Sequence, residues 1–595
     1  MKELILYALR RFCMLIPFLI GLTLVAFLLG VLSPGDPALA LLTMDGISEP
    51  TAEELDALRH AMGLDQPVWI QYGRWLMNAL HGDLGVSYLT QKPVLDEILR
   101  RFPITFHLAV WAIGWVMVTG IPAGIWAAEK KDTAGEIVLR AGALFFISVP
   151  SFFLAILCML LFSEEWRLLP SGGYGSMIQM IMPSFVLAAG TSAAVMRLQQ
   201  TSMTEVAGKE FITTERAKGL PMPFIMKRHV LPNALVPVIT MLGTFFGAIL
   251  GGSVIIEDMF SIPGLGSYVL AAIWGRDYPV IQGYVIVSGT VFLTFNYLVD
   301  ILCGMLNPSV RKGGRPMKES KSAVRLLYAS AVFIASAVVF CAVFAPLLAP
   351  YDPSAVSPEE ILEHSSAAHW FGTDALGRDI LSRVIYGARS SVAFAFCSAF
   401  CTMALGLSLG MVSGYFGGLA DKSVQCLVAL FQGLPGTSLM IAIAAILPEN
   451  DFRIIIALTL TSWTGFSRIV RNEVLRIKGE TYMEGIRSIG AGHWYILRKY
   501  VFPNLLPVLI VLFTLRTGTS LLSASALSYL GLGVSPPTAD WGVMISDART
   551  YFRSYPVMIL APGMGITLFC LSINLLGDAL RDNLQIRKSP EERRG

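Results

Sequence analysis

Three windows, Phe12–Leu32, Ile104–Ala127 and Val324–Leu348, are apolar for long enough that a helix through each would cross the roughly 30 Å hydrocarbon core of a bilayer. A backbone in lipid has to satisfy its own polar groups within the segment, so such runs demand helices. The demand recurs along the chain. Spans read at about 10–32, 103–127, 137–162, 179–196, 232–254 and 281–305, then at 324–348, 390–412, 423–447, 453–470, 503–523 and 557–578. That is about twelve helices, six per half. Only 15% of the 595 residues are charged, against about 25% in soluble domains. The expected fold class is therefore an all-α polytopic membrane protein. A net charge of +3 gives no reason to expect nucleic acid as a partner.

Where the charges sit is more informative. With alternating spans, Arg10, Arg11, Lys130, Lys131, Lys209, Arg216, Lys218, Lys227 and Arg228 share one side with Arg311, Lys312, Arg315, Lys318, Arg468, Arg471, Arg476, Arg487, Arg498, Lys499 and the basic tail from Arg587. The positive-inside rule makes that side, and both termini, cytoplasmic. The first span continues into Ser33–Ala38 without a small-residue cleavage site, so it reads as retained. The polar, basic, Gly- and Pro-containing stretch 307–322 reads as a linker between the halves.

The halves are related. Pro232-Asn233 and Pro503-Asn504 lie 271 residues apart, and the same ungapped offset pairs Arg197 with Arg468, Phe211 with Tyr482, Arg216 with Arg487, Gly219 with Gly490, Arg228 with Lys499 and Val230 with Val501. So many matches in one register mark an internal repeat. In each copy a helical stretch, Met203–Lys218 or Val474–Ile489, ends at a glycine suited to a helix C-terminus. A second amphipathic stretch follows and leads into the Pro-Asn step. Two short helices broken by glycine make a basic knob at the membrane face. One such knob could anchor to anionic lipid; two registered copies point to a docking role.

The stretches "EVAGKEFITTERAKGL" with "RHVLPNALVPV", and "EVLRIKGETYMEGIRSIGA" with "LRKYVFPNLLPV", resemble the EAA loop of bacterial ATP-binding cassette (ABC) importer permeases of the dipeptide/oligopeptide/nickel family. "GLDQPVWIQYGRWLMNALHGDLGVSY" and "FSIPGLGSYVLAAIWGRDYPVIQG" are similar to the first permease of such systems. "HWFGTDALGRDILSRVIYGARSSV" and "YLGLGVSPPTADWGVMISDAR" are similar to the second. Those permeases are ordinarily separate chains; here they are joined, and copy two carries Glu484-Gly485-Ile486 where the family favours small alanines.

The resemblance implies two six-helix type I importer transmembrane domains in tandem. The first module would be 1–306, with a core at about 94–305 and an extracytoplasmic loop at about 33–102; the second would be 323–595, with a core at about 388–578. It implies two cytoplasmic ATPase subunits that carry ATP and Mg²⁺, an extracytoplasmic solute-binding protein and surrounding lipid as partners, in the inner membrane of a bacterial cell. Coupling to the ATPases falls on Thr213, Thr214, Glu215, Arg216, Gly219 and Leu220, and on Glu484, Gly485, Arg487, Gly490 and Ala491. Thr240, Thr244, Thr514 and Thr517 are the guess for the translocation path. Peptides are the expected cargo, with nickel or a metal–chelator complex as the alternative.

Other chemistries find little support. The Gly208-Lys209 pair lacks the upstream glycine and following hydroxyl of a phosphate-binding loop, so no cofactor is expected on this chain and no catalysis. The eight cysteines form no CxxC pair, and no metal-spaced histidine motif occurs. An ion-coupled transporter would need carboxylates within its spans, whereas Glu136 and Asp300 lie at span ends.

Overall fold

The computed structural model describes residues 2–31, 37–42, 50–131, 133–306 and 322–585. The linker stretch 307–321, the basic tail from 586 and most of the Ser33–Ala38 motif lie outside the described residues. Each expected span falls on helix. Among the described residues, seven helices are long and apolar enough to cross a membrane: Val94–Glu129, Met177–Ala207, Met222–Leu250, Tyr278–Val299, Ile380–Phe416, His493–Tyr529 and Val557–Arg581. The described parts of the spans at 10–32 and 324–348 are shorter apolar helices, and the span at 453–470 lies within the more polar helix Phe452–Lys478.

Two spans read as single helices are broken. Ala134–Ser148 and Ser151–Glu165 meet at 106°, and Gly418–Gln432 and Gly436–Ile446 meet at 92°. Both breaks sit at a proline with extended backbone, Pro150 (ψ 136°) and Pro435 (ψ 114°). A proline ring disfavours helical geometry in the residue before it, here Val149 and Leu434.

The chain forms two compact units, and neither is a continuous half of the sequence. The first comprises Met1–Ala143, Leu161–Met317 and Gly433–Pro448; the second comprises Leu144–Leu160, Lys318–Gln432 and Glu449–Gly595. Each unit thus includes one arm of the other half's broken helix. Within the first, Ser438 donates to the Gly251 carbonyl at 3.1 Å and bonds the Tyr284 hydroxyl at 2.8 Å. Within the second, Phe152 stacks on Tyr529 with ring centroids 5.0 Å apart, and Asn574 donates to Ser148 at 3.0 Å.

Both units are organised around a pair of long helices packed through glycine. A Cβ on Gly120 would lie 2.8 Å from the Ser192 carbonyl oxygen, and one on Gly124 2.7 Å from that of Met196. In the second unit a Cβ on Gly406 would lie 2.8 Å from the Trp463 carbonyl oxygen, and one on Gly410 2.7 Å from that of Ser467. Small residues let membrane helix backbones approach where lipid offers no hydrophobic drive between helices. The glycines repeat at an offset of 286 and their partners at 271, so the stretch between the paired helices is 15 residues longer in the first half.

A second shared device fastens a short helix to the long one. Thr105 accepts the Leu265 N–H at 2.9 Å and donates to the buried Glu257, which also accepts from the Gly266 and Ser267 N–H groups at 2.6 and 3.1 Å. In the second unit Ser391 accepts the Trp541 N–H at 3.1 Å and donates to the buried Asp540, which accepts from Gly542 and Val543 at 2.9 and 3.2 Å. Buried carboxylates are tolerated when fully hydrogen-bonded, and these satisfy the first N–H groups of a helix that would otherwise have none.

Candidate functional site

The two basic loops fold identically, boundary for boundary. The spanning helices Met177–Ala207 and Phe452–Lys478 stop at Gly208 and Gly479. Eight-residue helices follow, Glu210–Ala217 and Thr481–Ser488, and each chain turn is made by a glycine with φ +81°, Gly219 and Gly490. Short helices Met222–Ile225 and His493–Ile496 come next, then one wide turn each, Met226–Val230 and Leu497–Val501, that runs into the next span. Apart from the starts of the two spanning helices, every one of these bounds is displaced by 271 residues. The single helical stretch expected over 203–218 and 474–489 is therefore two elements: the end of a spanning helix and a separate short helix, parted at Gly208 and Gly479.

Each knob has its own core, again in register. Met203, Val206, Ile212, Ile225, Val230 and Ala234 cluster in the first; Val474, Ile477, Met483, Ile496, Val501 and Leu505 cluster in the second. Ile212 and Met483 are fully buried, so each short helix is pinned by one apolar side chain to the helices before and after it. The Pro-Asn step has a local role too. Just after the prolines, the side-chain amides of Asn233 and Asn504 donate to the carbonyls of His229 and Tyr500, four residues back, at 2.8 and 2.7 Å.

Of the expected coupling residues, Thr213, Thr214, Arg216, Gly219, Glu484, Gly485, Arg487 and Gly490 are exposed, while Glu215, Leu220 and Ala491 are partly buried. Glu215 pairs with Lys218 at 3.0 Å, a surface pair that contributes little. The Arg487 guanidinium lies 6.0 Å from the centre of the Tyr415 ring, whose hydroxyl meets His493 Nδ1 at 3.0 Å. Tyr415 also accepts a bond from Lys478 through its carbonyl at 2.9 Å. The second knob is thereby tied to the helix Ile380–Phe416.

The sequence reading missed the apolar tip. Ile489 is 82% exposed and Trp494 85% exposed, with Met222 and Phe224 open on the first knob. These large apolar side chains stand exposed beside the glycine turns, and the sequence signal was the aromatic four or five residues after each turn glycine, Trp494 after Gly490 and Phe224 after Gly219. The path candidates behave differently. The hydroxyls of Thr240, Thr244, Thr514 and Thr517 each donate to the carbonyl four residues back in their own helix, at 3.1, 3.0, 2.8 and 2.9 Å.

Each knob presents an exposed patch whose apolar core is continuous with the helices before and after it. Comparison with known proteins gives this arrangement a context. The model described as "Binding-protein-dependent transport system inner membrane component" matches twice, over residues 120–312 and 406–589, so each match encloses one knob. A model for the N-terminal part of such membrane components matches residues 4–109. A Brucella abortus protein bearing the name of a peptide transport system permease is 39% identical over 311 residues, which cover 51% of this chain and 98% of the relative. The Escherichia coli K12 glutathione transport system permease protein is 35% identical over 305 residues, 51% of this chain and 98% of the relative.

Proposed function

The chain belongs to the family of binding-protein-dependent transport system inner membrane components, and on that premise we propose that it is a fused pair of permease modules moving peptides inward through an ABC importer. The observation that carries this reading is the pair of knobs with matching cores and matching glycine turns, because a two-fold motor needs two equivalent handles. The knobs face the cytoplasm, as do both termini, on the side where the positive charges collect. Each engages one of two separate ATPase subunits, which hold the ATP and Mg²⁺. Closure of the ATPases pushes on the short helices Glu210–Ala217 and Thr481–Ser488, and the pinning side chains Ile212 and Met483 pass the motion to the spanning helices. An extracytoplasmic binding protein delivers the solute. Peptide cargo is favoured because relatives that align over nearly their whole length carry peptide and glutathione transport names.

The test is uptake of radiolabelled di- and tripeptides into proteoliposomes holding this chain, its ATPases and its binding protein. Peptide accumulation that requires ATP supports the reading. Accumulation of nickel or a metal chelate in place of peptide overturns the cargo. A Gly219→Asp plus Gly490→Asp double variant inserts normally and loses uptake; undiminished uptake removes the knobs from the coupling path.

A further inference from the structure

Arg516 stands halfway along the helix Phe502–Tyr529, inside the apolar span His493–Tyr529. A guanidinium keeps its charge at any physiological pH, and a charge inside a membrane span is costly enough that it normally has a partner or a function. Here the partner is missing. Arg516 Nε is shielded from solvent and has no hydrogen-bond acceptor, and among the described residues no carboxylate pairs with the side chain. One turn further along, Ser520 is fully buried and its hydroxyl is also without a partner. A serine inside a helix ordinarily satisfies its hydroxyl on the carbonyl four residues back, as Thr514 and Thr517 do in this same helix. Residues four apart lie on one face. That face therefore presents two unused donors, one of them a permanent cation.

The corresponding positions of the first half, 271 residues earlier, are Phe245 and Ile249. The repeat thus matches its docking knobs and differs here, so the pair is no by-product of the fold. Packing needs are met by apolar side chains at both places in the other copy.

We propose that Arg516 and Ser520 form a carboxylate-binding site in the second unit, which receives the free C-terminal carboxylate of the transported peptide. The proposal rests on the peptide reading given above. A carboxylate is the complement of this donor set, with two acceptor oxygens, one for the guanidinium and one for the hydroxyl. A neutral carbonyl could accept one of these bonds but would bring no charge to pair with the guanidinium. The site occurs once, which suits a cargo with one C-terminus.

The experiment compares a tripeptide with its C-terminal amide in proteoliposomes of the complete system, each supplied at a concentration that saturates the binding protein. In the wild type the free acid is transported faster than the amide. Arg516→Gln slows the acid about tenfold, the size of one charged hydrogen bond, and leaves the amide within about twofold. Arg516→Lys, which keeps the charge, retains most of the acid rate, and Ser520→Ala gives a smaller loss confined to the acid. Equal slowing of acid and amide in Arg516→Gln assigns a merely structural role and overturns the site, as does a variant that transports the acid at the wild-type rate. Failure of the wild type to import either peptide, with ATP hydrolysis intact, overturns the peptide reading and this site with it.

Discussion

At Gly219 and Gly490 the backbone adopts φ +81°, and nothing lies within 4 Å of where a Cβ would stand. The obstacle to a side chain is therefore backbone strain alone, roughly 1–2 kcal/mol for most L-residues in the left-handed region. Asparagine visits that region more readily. Gly490→Ala should weaken co-purification with the ATPases and lower uptake, while Gly490→Asn preserves most of both; equal loss in the two variants would point away from the turn geometry. His369 gives a pH dependence outside the spanning helices. It is buried, its Nδ1 lies 2.9 Å from Asp379, and that hydrogen bond holds the imidazole above its ordinary pKa. A raised folded value means the tie contributes its full stability below the unfolded pKa of about 6.5 and loses it as pH rises through the elevated one. Hydrogen exchange of the 360–380 segment should accelerate across that window, and His369→Gln should flatten the response.

Elements were legible to different degrees. The knobs could be read because a single offset of 271 runs through polar, glycine and apolar positions alike, and the structure keeps that register in six core residues of each copy. The helix break at Gly208 and Gly479 escaped the reading because helix-favouring residues continue on both sides of it. The carboxylate clamps escaped for another reason. Glu257 precedes its helix by eight residues and Asp540 by one, so the same bonding arrangement is built from positions that no single alignment offset connects. At this scale the pinning side chain is the test. Met483→Ala should leave a cavity costing about 2–5 kcal/mol locally, detaching the short helix from its neighbours. The expected outcome is ATP hydrolysis that no longer drives uptake, with the chain still inserted in the membrane; coupled transport at the wild-type rate would show that the motion travels elsewhere.

For the whole molecule, the composition of the two units is the main lesson. Residues 144–160 pack with the second half and 433–448 with the first, so each unit is incomplete without a segment supplied by the other half. Made as separate polypeptides divided within 307–321, the halves should co-purify when expressed together, and each alone should be degraded or aggregate. A well-behaved half expressed alone would contradict the exchange. The sequence by itself determined the helical class, the repeat, the basic loops and the family resemblance, because hydrophobic length, charge sidedness and register are written in local order. Only the tertiary structure decided which arm of each broken helix packs with which half, where the buried carboxylates bond, and that Arg516 Nε and the Ser520 hydroxyl have no hydrogen-bond partner among the described residues. Those are questions of which groups meet after folding, and contacts between residues more than a hundred positions apart leave no periodic mark in the chain.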